Sequence, residues 1–112
     1  MCNGLGKKLF EPKDDYANSN GLLLAQAYGV TDFWIGIHDT TNEGIFTYDS
    51  NGETIVYENW STDEPNNWEG SEGEDCVEMY DNGYWNDVSC YSSKPFLCEP
   101  IGNLTSLPFT IL

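Results

Sequence analysis

Apolar residues between Asp15 and Tyr28 recur at helical spacing. Ala17, Leu24 and Tyr28 fall on one face, with Leu22 and Ala25 beside them. Pro12 followed by Asp14 and Asp15 is a start signal, either aspartate being able to cap the helix, and Gly29 is a stop. Gly21, inside this stretch, is expected to weaken the helix by about 1 kcal/mol relative to alanine. At Phe33 the pattern changes to Phe-Trp-Ile-Gly-Ile-His, a run ending at His38 that predicts a buried strand. Asp39 to Gly44 is a polar turn and Ile45 to Tyr48 a short strand. Asn51-Gly52 turns the chain into a further strand, Ile55 to Tyr57. Cys76 to Tyr80 alternates, Asn82-Gly83 turns the chain back into Tyr84 to Val88, and Pro95 to Cys98 reads as a last strand. Met1 to Lys13 reads as an extended entry segment, and Ile101 to Leu112 as a tail. Glu58 to Asp75 carries neither period; a loop of that length is uncommon and usually functional. No segment repeats.

The length, 112 residues, predicts one domain with a single modest core. Four tryptophans, seven tyrosines and five phenylalanines make that core aromatic and argue against disorder. Trp34, Trp60 and Trp85 lie in or beside strand-like runs and are assigned to it. Four basic residues against nineteen acidic ones give a net charge of -15. Such a chain lacks the cations to neutralise nucleic-acid phosphates and is repelled by anionic membranes, and bound divalent cations would relieve its self-repulsion. Cys2, Cys76, Cys90 and Cys98 form an even set open to three pairings. In a short, turn-rich chain they point to a secreted or extracellular protein. A zinc site is a poor reading, since no C-x-x-C pair exists and His38 is the single histidine. No stretch is long enough for a transmembrane helix, and no signal peptide is visible, so the chain reads as a mature form or a fragment.

Hard oxygen donors crowd the segment from Glu64 to Asp87. Glu64, Asn66, Glu74, Asn86 and Asp87 recur at short intervals without histidine or cysteine ligands among them. That donor set suits calcium, which takes six to eight oxygens in a flexible shell. Pro65, Cys76, Val88 and Cys90 follow the clusters as anchors.

The order and spacing of four features resemble the C-type lectin-like domain. Trp34-Ile35-Gly36 is similar to the family's central strand signature, Glu64-Pro65-Asn66 to its long-loop sugar motif, and Trp85-Asn86-Asp87 to its second calcium motif. Cys76, Cys90 and Cys98 fall where three of its four cysteines fall. The resemblance divides the chain into a domain over 1–98 and a tail over 99–112. It implies an α+β fold with antiparallel sheets, a long calcium-binding loop, and disulfides Cys76–Cys90 and Cys2–Cys98. In the chain-entropy model the shorter closed loop contributes roughly 3 kcal/mol and the longer one about 4 to 5 kcal/mol. Calcium at the sugar site would be held by Glu64, Asn66, Glu74, Asn86 and Asp87. A second calcium would be held by Asp39, Glu43, Asn67, Glu74 and Asp75, weakened by the neutral Asn67. The peptide before Pro65 is expected to be cis. Cys2 leaves no room for the first strand and helix of the family, and the apolar tail is a candidate cover for the edge they would leave.

By the same resemblance the chemistry is coordination of two adjacent sugar hydroxyls. Glu64 with Asn66, and Glu74 with Asn86, each offer one acceptor and one donor. The acid–amide order favours mannose-type sugars. Trp68, two residues past the motif, sits where galactose binders place an aromatic ring, so galactose stacking is the alternative; packing is the other reading of Trp68. Partners are glycans or glycoproteins, with no nucleic acid, no membrane insertion, and oligomerisation left open. An enzyme is not expected: calcium would occupy the carboxylates a glycosidase needs, His38 reads as a packed core residue, and no Ser/His/Asp order appears. The serious rival is a lectin-like domain that binds protein, ice or a calcium mineral. Asn59-Trp60-Ser61 and Asn103-Leu104-Thr105 match the glycosylation sequon, and the first falls in a region expected to be packed.

Overall fold

A computed structural model describes residues 2–65, 75–101 and 109–111. After a 3-10 turn, Cys2–Leu5, come β1 (Lys7–Leu9), α1 (Asp15–Ala27), β2 (Asp32–His38), β3 (Thr47–Tyr48), β4 (Cys76–Tyr80), β5 (Trp85–Val88), β6 (Leu97–Pro100) and β7 (Thr110–Ile111). The fold is α+β. Antiparallel strands form two sheets, in the orders β1-β6-β7 and β3-β2-β4-β5. A parallel bridge between Trp34 and Phe96 and a hydrogen bond from Gly36 N to Phe10 O (2.7 Å) join them. Disulfides tie Cys2 to Cys98 and Cys76 to Cys90, with Cα separations of 5.5 and 5.0 Å.

The helix begins where its cap allows. Asp14 is extended, and its Oδ1 accepts from Ala17 N at 2.8 Å, satisfying one of the first-turn donors. Gly29, at φ +73°, follows the Tyr28 C-cap. The buried face differs from the expected one: Asn18, Gly21 and Ala25 point inward, and Tyr28 is 60 % exposed. Gly21 explains the rotation. A Cβ built there would lie 2.4 Å from two ring carbons of Phe10, a ring that is itself buried, so helix and ring approach to backbone distance.

The central strand β2 is buried over Phe33–Ile37 and packs Phe33, Ile35 and Ile37 with Val77, Met79, Trp85 and Leu97. Between Trp34 and His38 its register against β4 slips, which bows the strand. Trp34 and Trp85 are buried, and Trp60 packs against the core with its ring 4.8 Å from Phe46 and 5.4 Å from Trp85.

Four expectations change. The entry segment is not simply extended, because Lys7–Leu9 pairs with β6 and Phe10 enters the core. The strand expected over Ile45 to Tyr48 is reduced to Thr47–Tyr48. Ile55 to Tyr57 forms no strand; Thr54 alone bridges to Thr47. The last strand expected, Pro95 to Cys98, shifts to Leu97–Pro100; Pro95, with no N–H, only accepts from Trp34 N, and Phe96 makes an isolated bridge to Trp34. Beyond it, β7 adds to the free side of β6, pairing Ile111 with Leu97 and Thr110 with Cys98, while Phe109 lies 5.9 Å from Phe10.

Every lysine is engaged. Lys7 donates to Thr110 Oγ1, Lys8 and Lys13 pair with Glu11 at 3.3 and 3.5 Å, and Lys94 pairs with Glu78 and Asp32 at 3.0 and 3.1 Å.

Gly21→Ala puts helix propensity and packing in opposition. Propensity alone predicts a gain of about 1 kcal/mol. Overpacking against Phe10 predicts a net loss of about 1 to 3 kcal/mol. A lower urea midpoint with an unchanged slope is the expected outcome; a raised midpoint would show that the helix is free to move off the ring.

Candidate functional site

Residues following β2 form a carboxylate cluster with the residue preceding β4. The backbone dictates it: Asp39 N donates to Asp75 O at 3.0 Å, extending the β2–β4 pairing by one step. Gly44, at φ +84°, folds the turn back so that its N–H reaches Asp39 Oδ2 at 2.8 Å. Glu43, one residue earlier, joins them. Oxygens of Asp39, Glu43 and Asp75 lie within 4.8 Å of one another. Asp39 is 2 % exposed, and the buried Oδ1 atoms of Asp39 and Asp75 accept no hydrogen bond. Burial pushes the Asp39 carboxyl above its ordinary value; the Gly44 N–H opposes this and Glu43 adds to it. Burial and then the Asp39 carboxylate raise Asp75 likewise.

These features fit a calcium ion. Two oxygens bound to one calcium at about 2.4 Å can be no more than about 4.8 Å apart. Three like charges with two unsatisfied buried oxygens are costly by themselves and balanced by a divalent cation. Lys8, Lys13 and Lys94 are paired with Glu11, Glu78 and Asp32 instead. Asn67 and Glu74, the other expected ligands of this site, lie outside the described residues.

Of the expected sugar-site ligands, Glu64, Asn86 and Asp87 are described; Asn66 and Glu74 lie outside the described residues, as does Trp68. Asn86 and Asp87 are adjacent on β5 and so project to opposite faces. Asp87 is fully buried, and Asn86 is half-buried. The segment leading to Glu64 is laced to the same strand. Trp85 N donates to Asn59 O and Ser61 N donates to Trp85 O, both at 2.9 Å. Glu64 N then donates to Ser61 O at 3.0 Å across a turn in which Asp63 adopts φ +67°. The Glu64–Pro65 peptide is cis. The Asn59 amide donates to Gly83 O at 2.8 Å, which engages the first sequon inside the fold.

Two assignments from sequence need correction or addition. His38 is not packed in the core. Its ring is partly exposed, with Nδ1 2.9 Å from Thr40 Oγ1 and Nε2 3.4 Å from Asp49 Oδ1, because the strand reaches the surface at its end. It borders a cavity of about 450 Å³ walled by Trp34, Phe96, Tyr91 and Lys94. Glu78 was not singled out by the sequence. It is 4 % exposed on β4, directly opposite Asn86, and accepts from Asn86 Nδ2 at 2.9 Å. Its position in the alternating run, facing the Asn86 site across the Asn82-Gly83 turn, was the available signal.

The family model described as the Lectin C-type domain matches residues 1–100. Collectin-11 of Bos taurus is 39 % identical over 98 residues, covering 88 % of this chain and 36 % of that protein. Pulmonary surfactant-associated protein D of Sus scrofa is 38 % identical over 100 residues, covering 88 % and 26 %. The chain thus spans about a third or less of the length of these relatives. Among solved structures, the human scavenger receptor C-type lectin carbohydrate-recognition domain superposes with a TM-score of 0.76 at 27 % identity, covering 87 % of this chain and 74 % of that one. The cow CD23 carbohydrate-recognition domain, determined in the presence of GlcNAc2Man3 oligosaccharide, gives 0.76 at 29 % identity, covering 91 % and 75 %. No helix among the described residues is long and apolar enough to cross a membrane.

Asp39→Asn tests the carboxylate cluster. Its amide nitrogen would replace the orphan Oδ1 and donate to a neighbouring carboxylate. The metal-free variant is therefore expected to melt higher than metal-free wild type, and to lose the further rise that calcium gives wild type. A variant that melts lower without metal, yet rises with calcium as wild type does, would contradict the assignment.

Proposed function

The chain belongs to the C-type lectin domain family, and on that premise we propose that it is a calcium-dependent carbohydrate-binding module, secreted, that recognises glycans or glycoproteins. It is a binding domain and not an enzyme. The observation that carries the calcium part is the Asp39–Glu43–Asp75 cluster, in which the buried Oδ1 atoms of Asp39 and Asp75 accept no hydrogen bond. In this reading Asp39, Glu43, Asn67, Glu74 and Asp75 hold one calcium, and Glu64, Asn66, Glu74, Asn86 and Asp87 hold the other.

At the second site the ion, when bound, supplies two coordination positions for adjacent sugar hydroxyls. The protein's own groups do the rest. Glu64 and Glu74 would accept hydrogen bonds from the hydroxyls, and the Asn66 and Asn86 amides would donate to the hydroxyl oxygens. Each carboxylate–amide pair therefore reads a hydroxyl as donor and acceptor together, which requires the two hydroxyls to lie at fixed relative angles.

Mannose-type sugars are favoured by the Glu64-Pro65-Asn66 order. The cow CD23 domain, crystallised in the presence of a mannose-containing oligosaccharide, supports the same class. Galactose recognition through Trp68 is the second reading, because an indole stacked on the apolar face of galactose is worth about 1 kcal/mol, or roughly fivefold in affinity.

Retention on immobilised mannose in calcium, with release by EDTA, is the expected behaviour. Glu64→Gln should weaken sugar retention and calcium affinity together, since it removes one ligand charge. If the domain passes through mannose and galactose columns alike in calcium, a sugar is not its ligand, and adsorption to protein, ice or a calcium mineral becomes the reading to pursue. Trp68→Ala separates the sugars: loss of galactose with mannose kept would assign the indole to stacking.

A further inference from the structure

Three strands place three side chains in a row on one face of the larger sheet. Trp34 on β2 lies opposite Glu78 on β4, and Glu78 lies opposite Asn86 on β5. Lys94 closes the row. Its Nζ sits 5.8 Å from the Trp34 ring centre, 3.0 Å from Glu78 Oε1 and 3.1 Å from Asp32 Oδ2. Glu78 is thus a buried carboxylate with one oxygen against a cation and the other, Oε2, accepting from Asn86 Nδ2 at 2.9 Å.

That last contact determines which way round the Asn86 amide stands. An inverted amide would set Oδ1 against Oε2, two acceptors with no proton between them in a buried place, which is costly. Glu78 does not readily turn aside, because Lys94, itself fixed by Asp32, holds its other oxygen. With one N–H of Nδ2 bound to Glu78, Oδ1 is directed away from the row and the second N–H is left for another acceptor.

We propose that Glu78, held by Lys94, is a positioning residue that locks the Asn86 amide in the one orientation offering its oxygen to a cation and its second N–H to a ligand hydroxyl. This rests on the reading of Asn86 as a calcium and sugar ligand. It adds that the donor–acceptor order at Asn86 is imposed from beneath by a buried carboxylate paired with Lys94 and does not wait for the ligand. Where such supporting partners have been removed from metal sites, affinity falls about 10- to 100-fold.

Glu78→Gln is the informative change because it keeps the shape. Lys94 attracts the new Oε1, so Nε2 faces Asn86 and draws Oδ1 toward it, inverting the amide. Glu78→Gln combined with Lys94→Met frees the glutamine to turn Oε1 back to Asn86. Two-site calcium titration should show the Asn86 site weakened about 10- to 100-fold in the single variant, the Asp39 site within twofold of wild type, and recovery at the Asn86 site in the double variant. The Asn86 side-chain NH2 signals in an 15N spectrum of calcium-free protein should shift in the single variant and return in the double. Unchanged affinity at the Asn86 site, or equal losses at both sites with a lower melting temperature, would overturn the proposal. If wild type binds no calcium at all, the proposed function fails, and the amide spectrum still decides: NH2 signals identical in all three proteins would sink the positioning role, and the shift with its return would uphold it.

Discussion

A buried indole N–H must find an acceptor, and in this fold it finds one on the helix. Trp85 has no exposed surface, and its Nε1 donates to Asn18 Oδ1 at 2.9 Å. Asn18 in turn donates to Gly83 O at 2.9 Å, so one buried side chain satisfies the strand's indole and the turn that precedes it. The ring meets Tyr57 and Trp60 edge-on, and the backbone of Trp85 is bonded to Asn59 and Ser61. Helix, turn, strand and the start of the long loop are therefore fastened at one residue. The next two residues on the strand are Asn86 and Asp87. The described start of the loop, as far as Glu64, takes its position from that anchor.

Elements with local causes were legible in the sequence. The helix carries its own cap at Asp14 and its own stop at Gly29, and the Asn82-Gly83 turn carries its positive φ at Gly83. Elements with distant causes were not. Lys7–Leu9 is a strand because residues 98–100 lie beside it, and three residues with two lysines show no period. Ile55 and Tyr57 look like strand residues, yet they only pack against the core while the chain passes by. Tyr28 continues the helical apolar stripe but faces outward, because the close approach at Gly21 turns a different face to the core.

The candidate site divides in the same way. Glu64, Asn86 and Asp87 stood out in the chain as hard oxygen donors at short intervals, whereas Asp39, Glu43 and Asp75 were named only through the family resemblance. Asp39 and Asp75 meet through one backbone hydrogen bond between residues far apart in sequence, which no local pattern encodes. The support beneath Asn86 was hidden for a different reason. Glu78 and Lys94 carry no motif, and only pairing across β2, β4 and β5 shows Glu78 buried opposite Asn86, with the half-buried Lys94 against it.

The lysines have an effect beyond the bonds they make. The chain has four basic side chains, each already partnered by an oxygen, and its one histidine stands beside Asp49. With a net charge of -15, nearly all the remaining field is negative. At physiological ionic strength that field reaches about 8 Å from the surface. An uncharged sugar chain crosses this distance unaffected. A sulfated or sialylated chain is slowed, and a basic peptide is hastened. The field thus distinguishes molecules by charge during approach, before any contact forms, and the distinction fades as salt is added.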